Sequence, residues 1–288
     1  MANHITCFGE VLFDVFPSGS RIGGAPLNVA FRLRSLGNAV DLISRIGDDA
    51  LCSEVLKFLH SHNISSKNIQ IDSVHKTGEV QVTLDANGNA SYEIIVPCAW
   101  DFIEVNHHAL QAVKNSDAFV FGSLVCRNEV SKSSLMQLLP QAKYKIFDVN
   151  LRAPFYNFEL LKTLMVQADM IKFNDDELFL ICENFGKKTS KLKEAIAFIS
   201  EFTATPSICV TRGKHGAVLF LENSFYKHKG YKATVVNTVG AGDSFLATLI
   251  DQLLKKVTPK KALDFACKVG SEVVKYEEAT PELSADLL

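Results

Sequence analysis

The sequence predicts an α/β fold: a mainly parallel sheet covered by helices on both faces, with a small β-hairpin set apart from it. Three observations carry this. Short apolar runs alternate with segments whose apolar residues recur at three- and four-residue spacing, the rhythm of strand and helix. The chain has 288 residues, 47% of them hydrophobic, enough for one large domain with an extensive core. Between residues 77 and 97 the rhythm gives way to strict alternation around a turn, a pattern foreign to a parallel α/β unit.

In chain order, residues 4–16 open with a strand interrupted by Gly9, with Asp14 near its far end, and 18–24 read as a loop. Pro26 stands at the first position of a helix running to Leu36 and stopped by Gly37, because proline lacks only an N–H that a first turn leaves unpaired. A strand over 39–46 follows, then a turn at 47–49 and a helix over 50–62 with Leu51, Val55, Leu56 and Leu59 on one face. In the hairpin, Val80, Val82 and Leu84 alternate with polar residues, 85–89 turn, and Tyr92, Ile94 and Val96 return. One face is polar, which suits a lid or an oligomer surface. Further strands are expected over 118–124, 144–149, 170–173, 207–211, 217–221 and 225–228. Helices are expected over 129–139, 158–168, 175–184, 191–202 and 260–276. The run 234–236 reads as the end of a strand, and Phe245, Leu246, Leu249, Ile250, Leu253 and Leu254 mark a helix after it. With right-handed crossovers, ligand sites belong beyond the C-terminal ends of the parallel strands.

Composition removes several functional classes. A formal net charge of −2 gives no electrostatic case for nucleic acid or an anionic membrane. Seven scattered cysteines without a C-x-x-C pair read as reduced thiols in a cytoplasmic setting. No apolar run approaches the roughly 18 residues of a membrane span, and no basic segment precedes an apolar one at the start. Walker, G-x-G-x-x-G, H-E-x-x-H and G-x-S-x-G patterns are all missing from the sequence. His107 and His108 are adjacent, do not share a helical face, and read as solvated.

The chemistry concentrates in Asn237-Thr-Val-Gly-Ala-Gly-Asp-Ser-Phe245. Gly240, Ala241 and Gly242 open a helix, whose free N–H groups and macrodipole make an anion site. A carboxylate there repels an anion, so Asp243 needs another account. A hydroxyl that loses its proton beside a phosphate supplies one; an acidic first-turn stabiliser supplies another. Gly23-Gly-Ala-Pro-Leu-Asn28 is a second glycine turn, with Gly24 leaving backbone bare and Asn28 offering both a donor and an acceptor to a sugar hydroxyl. Asp14 supplies acceptors for a pair of hydroxyls. Phe147-Asp-Val-Asn-Leu-Arg152 sets Asp148, Asn150 and Arg152 at a strand end, where Arg152 meets a phosphoryl group or a sugar, or simply solvent. Asn174 and Glu177 have capping-box spacing, and the same carboxylate suits Mg²⁺ held through water. Thr211-Arg-Gly-Lys-His-Gly216 ends a strand in a glycine loop that a nucleotide, or a plain hairpin turn, explains.

In this order, GGAPLNVA with IGDD, FDVNLR, KFNDDEL, VTRGKHGAV and NTVGAGDSF closely resemble the ribokinase-like (PfkB) family of carbohydrate kinases over nearly the whole chain. The opening FGEVLFDVFP, the GGAPLN form, the AWD at 99–101 and FDVNLR resemble the bacterial fructokinases within it. The resemblance implies a three-layer α/β/α sandwich over 1–288 with a β lid from about 15–23 and 77–97, covering the sugar and mediating a homodimer. It implies that Asp243 is the base and that Gly240, Ala241 and Gly242 form an anion hole through their N–H groups. Asp14, Gly24, Asn28 and Arg152 would hold the sugar. Asn174, Thr211, Gly213 and Gly216 would border ATP, and Glu177 would govern Mg²⁺. The implied reaction is ATP-dependent phosphorylation of D-fructose on O6. Ribose or 2-keto-3-deoxygluconate is an alternative substrate, and a non-catalytic sugar sensor an alternative role. Asn237 stands where many relatives carry aspartate, at a position linked to a monovalent-cation site, so a charge that K⁺ would meet there is missing.

Overall fold

The computed structural model describes residues 2–16, 19–84, 90–284 and 286–287. Strand β1 (His4–Phe8) ends at Gly9, whose φ of 147° turns the chain out of the main sheet. A Cβ at Gly9 would lie 2.7 Å from the Pro26 ring, so only glycine fits. The opening segment is therefore two strands in two sheets. β2 (Leu12–Phe16) carries Asp14 into a small second sheet, correcting the expectation of one interrupted strand. The expected loop at 18–24 is instead β3 (Gly19–Gly23), antiparallel to β2 with Asp14 opposite Arg21.

The chain continues through α1 (Ala25–Ser35), β4 (Ala39–Gly47), α2 (Ala50–Ser61), β5 (Ile69–Asp72), β6 (Gly78–Leu84) and β7 (Ala90–Ile94). The turn expected at 85–89 lies outside the described residues. Then come α3 (His107–Asn115), β8 (Ala118–Gly122), α4 (Glu129–Leu138), β9 (Lys145–Asp148), α5 (Phe158–Gln167), β10 (Met170–Asn174), α6 (Asp175–Asn184), α7 (Leu192–Thr203) and β11 (Ser207–Thr211). β12 (Ala217–Leu221), β13 (Ser224–His228), α8 (Ala241–Leu254) and α9 (Pro259–Val273) complete it. The main sheet runs β13-β12-β11-β10-β9-β8-β1-β4-β5, parallel from β11 to β5 with β12 and β13 antiparallel at one edge. The small sheet runs β3-β2-β6-β7, and β2 pairs in parallel with β6, so the hairpin is anchored to the first glycine turn.

Central strands are apolar on both faces, as helices on both sides require. Along β8, Phe119 and Phe121 join one core cluster, while Ala118 and Val120 join the other. The first cluster holds α4 to α7; the second holds α8 between α1 and α9. Polar clamps fix α8 in place. Buried Arg32 of α1 donates to Ser244 Oγ (3.2 Å) and the Pro281 carbonyl (2.8 Å), and Asn38 donates to Asp251 (2.8 Å).

Residues 234–236 do not form a strand. Val236 N–H pairs with the Val274 carbonyl beyond α9 (2.7 Å), and Val235 and Val236 are exposed. Their backbone is drawn to the segment after α9 instead of to an edge of the main sheet, the Asn237 amide also reaching the Val274 carbonyl (3.2 Å). α3 and β5 lie where no element was expected; His107 and His108 sit exposed in the first turn of α3.

The small sheet is bolted to the core at its root. After β7, the 3-10 turn Ala99–Phe102 carries Asp101, and after β8 the 3-10 turn Leu124–Arg127 carries Arg127. Arg127 donates to both Asp101 oxygens (2.6 and 2.8 Å) and to the Ile95 carbonyl (2.8 Å), with its guanidinium 3.7 Å from the Trp100 ring centroid. Both charged side chains are buried.

Candidate active site

Two cavities open where the parallel strands end. One, of about 530 Å³, has Glu10, Asp14, Asn28, Arg152 and Asp243 on its walls. The other, of about 460 Å³, is lined by Thr211, Gly213, Gly216, Tyr231 and Cys267 among others. They meet at a shared wall of Lys172, Asn174, Thr238 and Gly242. The sites expected for sugar and for nucleotide thus fall into two separate, abutting spaces.

The wall is built on the start of α8. Gly240 caps it at φ 77°, with the Ala279 carbonyl where a Cβ would stand, so only glycine permits this turn. Among the described residues, the Gly242 and Asp243 amides have no backbone acceptor, while the Ala241 amide turns back to the Thr238 carbonyl at 3.3 Å. Of the three amides expected to form an anion hole, those of Gly240 and Gly242 have no backbone acceptor among the described residues, and that of Ala241 is turned back.

Asp243 is half-buried and accepts a hydrogen bond from Asn28 Nδ2 (2.8 Å). Burial and the nearby Asp148 carboxylate raise its pKa, while Lys172, Asn28 and Arg152 hold it down. Asp14 is also raised by burial and restrained by Arg152 and Arg21. Arg152 is exposed at the cavity rim, its Nη1 on the Leu151 carbonyl (3.0 Å). Gly24 packs directly on the Glu10 carbonyl, where a Cβ would collide.

Asn174 and Glu177 make the capping box at the start of α6, each bond 2.8 Å. The second Glu177 oxygen accepts from Leu151 N–H (2.9 Å), tying this helix to the loop that carries Arg152. Burial raises the Glu177 pKa, with Lys172 and these amides opposing. Thr211 donates to the Phe173 carbonyl (3.3 Å), and Gly216 (φ 79°) lies against the β13 end, where the His228 carbonyl excludes a Cβ. Tyr231 donates to Asp264 (2.7 Å) on the far wall of the same cavity.

Glu10 and Lys172 were not expected at the site from the sequence, and Asp148 was expected only at a strand end. Glu10 lines the larger cavity and is 3% exposed, with Oε2 unpartnered. Lys172 and Asp148 pair at 2.9 Å, both buried, because the parallel register sets them side by side on β10 and β9. A lysine inside an otherwise apolar parallel strand was the available signal.

Burial pushes the Glu10 carboxyl up to about 7 from an ordinary 4.5. Its folded pKa exceeds its unfolded one, so its contribution is full below pH 4.5 and is lost as pH rises through 7. Glu10→Gln is therefore expected to gain on the wild type as pH climbs across that window, by up to about 3 kcal/mol. Urea unfolding at the two ends checks it; a difference independent of pH would contradict it.

The model of the pfkB family carbohydrate kinases matches residues 4–286. The chain belongs to this family. It is a kinase with a sugar hydroxyl as acceptor. An Arabidopsis thaliana protein named probable fructokinase-3 is 27% identical, over 98% of this chain and 89% of its own length. A Vibrio cholerae fructokinase solved with fructose, ADP and calcium ion superposes with a TM-score of 0.82 at 25% identity, covering 96% of this kinase and 94% of that chain. A Salmonella enterica aminoimidazole riboside kinase also reaches 0.82 at 20% identity, over 96% and 95% of the two chains. Fold similarity thus leaves the sugar open, and the cavity walls carry that distinction.

The resemblance implies two ions, Mg²⁺ and K⁺, and the residues present suit them differently. Among the described residues no cluster of three acidic, histidine or cysteine side chains could cage a metal. Mg²⁺ arriving with phosphates and held through water by Glu177 fits, since both carboxylate oxygens already accept backbone N–H groups. A K⁺ site with an anionic ligand at position 237 does not fit. Asn237 Nδ2 donates to the Glu277 carbonyl (2.8 Å), and its Oδ1 accepts from Val239 N–H (3.1 Å).

Proposed function

We propose that the protein is an ATP-dependent fructokinase that transfers the terminal phosphoryl group of ATP to O6 of D-fructose. One observation carries this reading: Asp243, held by Asn28, stands at the helix start where the two cavities meet. A sugar in the larger cavity places a hydroxyl against Asp243, and a nucleotide in the smaller one ends at Gly242. Asp243 takes the hydroxyl proton as the oxygen attacks, and the free Gly242 and Asp243 amides receive charge on the transferring group. Asp14, Gly24, Asn28 and Arg152 hold the sugar; Asn174, Thr211, Gly213 and Gly216 border the nucleotide. Mg²⁺ supplies charge neutralisation on the phosphates when bound near Glu177. The small sheet acts as the lid, excluding water that competes as acceptor.

The walls favour a neutral sugar. Glu10, Asp14 and Asp243 face one arginine, Arg152, on the sugar side, and the other cation there, Lys172, is paired with Asp148, which opposes a sugar acid such as 2-keto-3-deoxygluconate. No Phe, Tyr or Trp is among the described residues lining this cavity, so a nucleobase has no aromatic wall there. Ribose remains the closest competitor, and the free amides at Gly242 weigh against a sensor without turnover. A homodimer through the small sheet belongs to the same reading, supported by exposed Ile95 and Val96 beyond its outer strand. A cytoplasmic setting is supported by seven unpaired cysteines.

A coupled ADP-release assay over a sugar panel tests the assignment. D-fructose is expected to give the highest kcat/KM, and a site built on hydroxyl hydrogen bonds rejects poor matches by up to about 10⁴–10⁵. A preference for ribose or a riboside would overturn the fructose assignment. Sugar-dependent thermal stabilisation without turnover would favour the sensor.

A further inference from the structure

We propose that Lys172 is a catalytic residue that donates a hydrogen bond to the phosphoryl group as it passes between the two cavities, with Asp148 holding it in place. The proposal rests on the kinase reading and adds a residue that neither the motifs nor the anion hole supplies.

Position is the first argument. Of the four residues common to both cavities, Lys172 is the one cation. Its ammonium lies 3.5 Å from where a Cβ on Gly242 would stand, beside the first turn of α8. A phosphoryl group moving from nucleotide to sugar crosses this wall.

Donor accounting is the second. An ammonium has three N–H donors. Among the described residues Lys172 donates only to Asp148, at 2.9 Å to Oδ1 and 3.2 Å to Oδ2. At least one N–H is left over on a side chain that is 6% exposed and borders both cavities. A buried donor without an acceptor costs free energy, which three anionic oxygens arriving at the wall recover.

Charge is the third. Burial works to discharge Lys172, but the Asp148, Glu177 and Asp243 carboxylates outweigh it and hold the ammonium protonated. Asp148 takes at most two of the three donors. The pair replaces apolar residues in adjacent parallel strands, where a purely structural role would be filled as well by hydrophobic packing.

A competing role needs separating. Lys172 also lowers the pKa of Asp243, so its loss would hinder the base by raising that pKa. Such a defect disappears as pH rises; loss of a contact to the phosphoryl group does not. The groups facing Asp243 in that comparison are Asp148, Arg152, Asn28 and Glu10.

The test compares wild type with Lys172→Met, and with Lys172→Met combined with Asp148→Asn, which leaves no buried charge unpaired if the single variant fails to fold. Expected is a kcat loss of about 10²–10³-fold in both, constant between about pH 6 and pH 9, with ADP affinity by calorimetry unchanged. Recovery at high pH would reduce Lys172 to a helper of Asp243 and overturn the proposal. So would ADP affinity falling in step with kcat, or near-normal turnover in either variant. Wild-type protein that turns over no sugar overturns the kinase reading itself, before any variant is read.

Discussion

Replacing Asp243 with alanine is expected to lower kcat by about 10²–10⁴-fold, the range for a positioned general base. Nucleotide affinity survives, because the cavity lined by Thr211, Gly213 and Gly216 lies on the other side of the shared wall. The geometry adds a pH signature. The Asp243 pKa is raised by burial and by Asp148, so the acid limb of the kcat profile lies above the ordinary aspartate range. Asn28 donates to the ionised carboxylate and favours it. Removing that bond in Asn28→Ala raises the pKa further, so the acid limb moves to higher pH. A profile unmoved by the Asn28 change, or near-normal turnover in Asp243→Ala, would contradict the assignment of the base.

The second large effect is on stability. Arg127→Ala costs about 3–5 kcal/mol, because it strands the Asp101 carboxylate in a place water does not reach. Asp101 is fully buried, and Arg127 supplies its only cation among the described residues. Asp101 also accepts from the Cys98 amide (2.9 Å), which fixes the turn but cannot neutralise it. Substituting both partners, as Asp101→Asn with Arg127→Met, is expected to cost less than the single change, since no charge is then left alone. Urea unfolding of the three proteins measures this. The single variant falling within about 1 kcal/mol of wild type, as an exposed pair would, contradicts it. Arg127 also joins the Ile95 carbonyl to the turn carrying Leu124, and both Ile94 and Leu124 line the larger cavity. The single variant is therefore expected to raise KM for the sugar more than KM for ATP.

Much of this was legible in the sequence because the α/β rhythm is a local property. Strand boundaries such as Ser207–Thr211 and Ala217–Leu221 coincide with the apolar runs that announced them. The glycine turns were legible for the same reason, since Gly240 and Gly216 mark backbone that no other residue adopts there. What escaped depends on partners distant in sequence. Residues 19–23 read as loop because their strand character comes from pairing with β2, not from their own glycine- and serine-bearing sequence. Val235 and Val236 read as strand on β-branching alone, and the Val236 amide pairs with the Val274 carbonyl, far off in sequence, rather than with a sheet edge. Lys172 gains its meaning only from Asp148 beside it in the register and Gly242 above it, which are 24 residues away and on another element. Glu10 stands in an apolar stretch of sequence, and only the fold brings Arg152 and Asp243 near it.

Product analysis by phosphorus NMR after incubation with ATP, Mg²⁺ and D-fructose reaches the central claim most directly. The account predicts one new phosphomonoester, coupled to the C6 methylene protons of fructose, formed in step with ADP. ADP appearing with inorganic phosphate and no sugar ester, or an ester on another carbon, would contradict it.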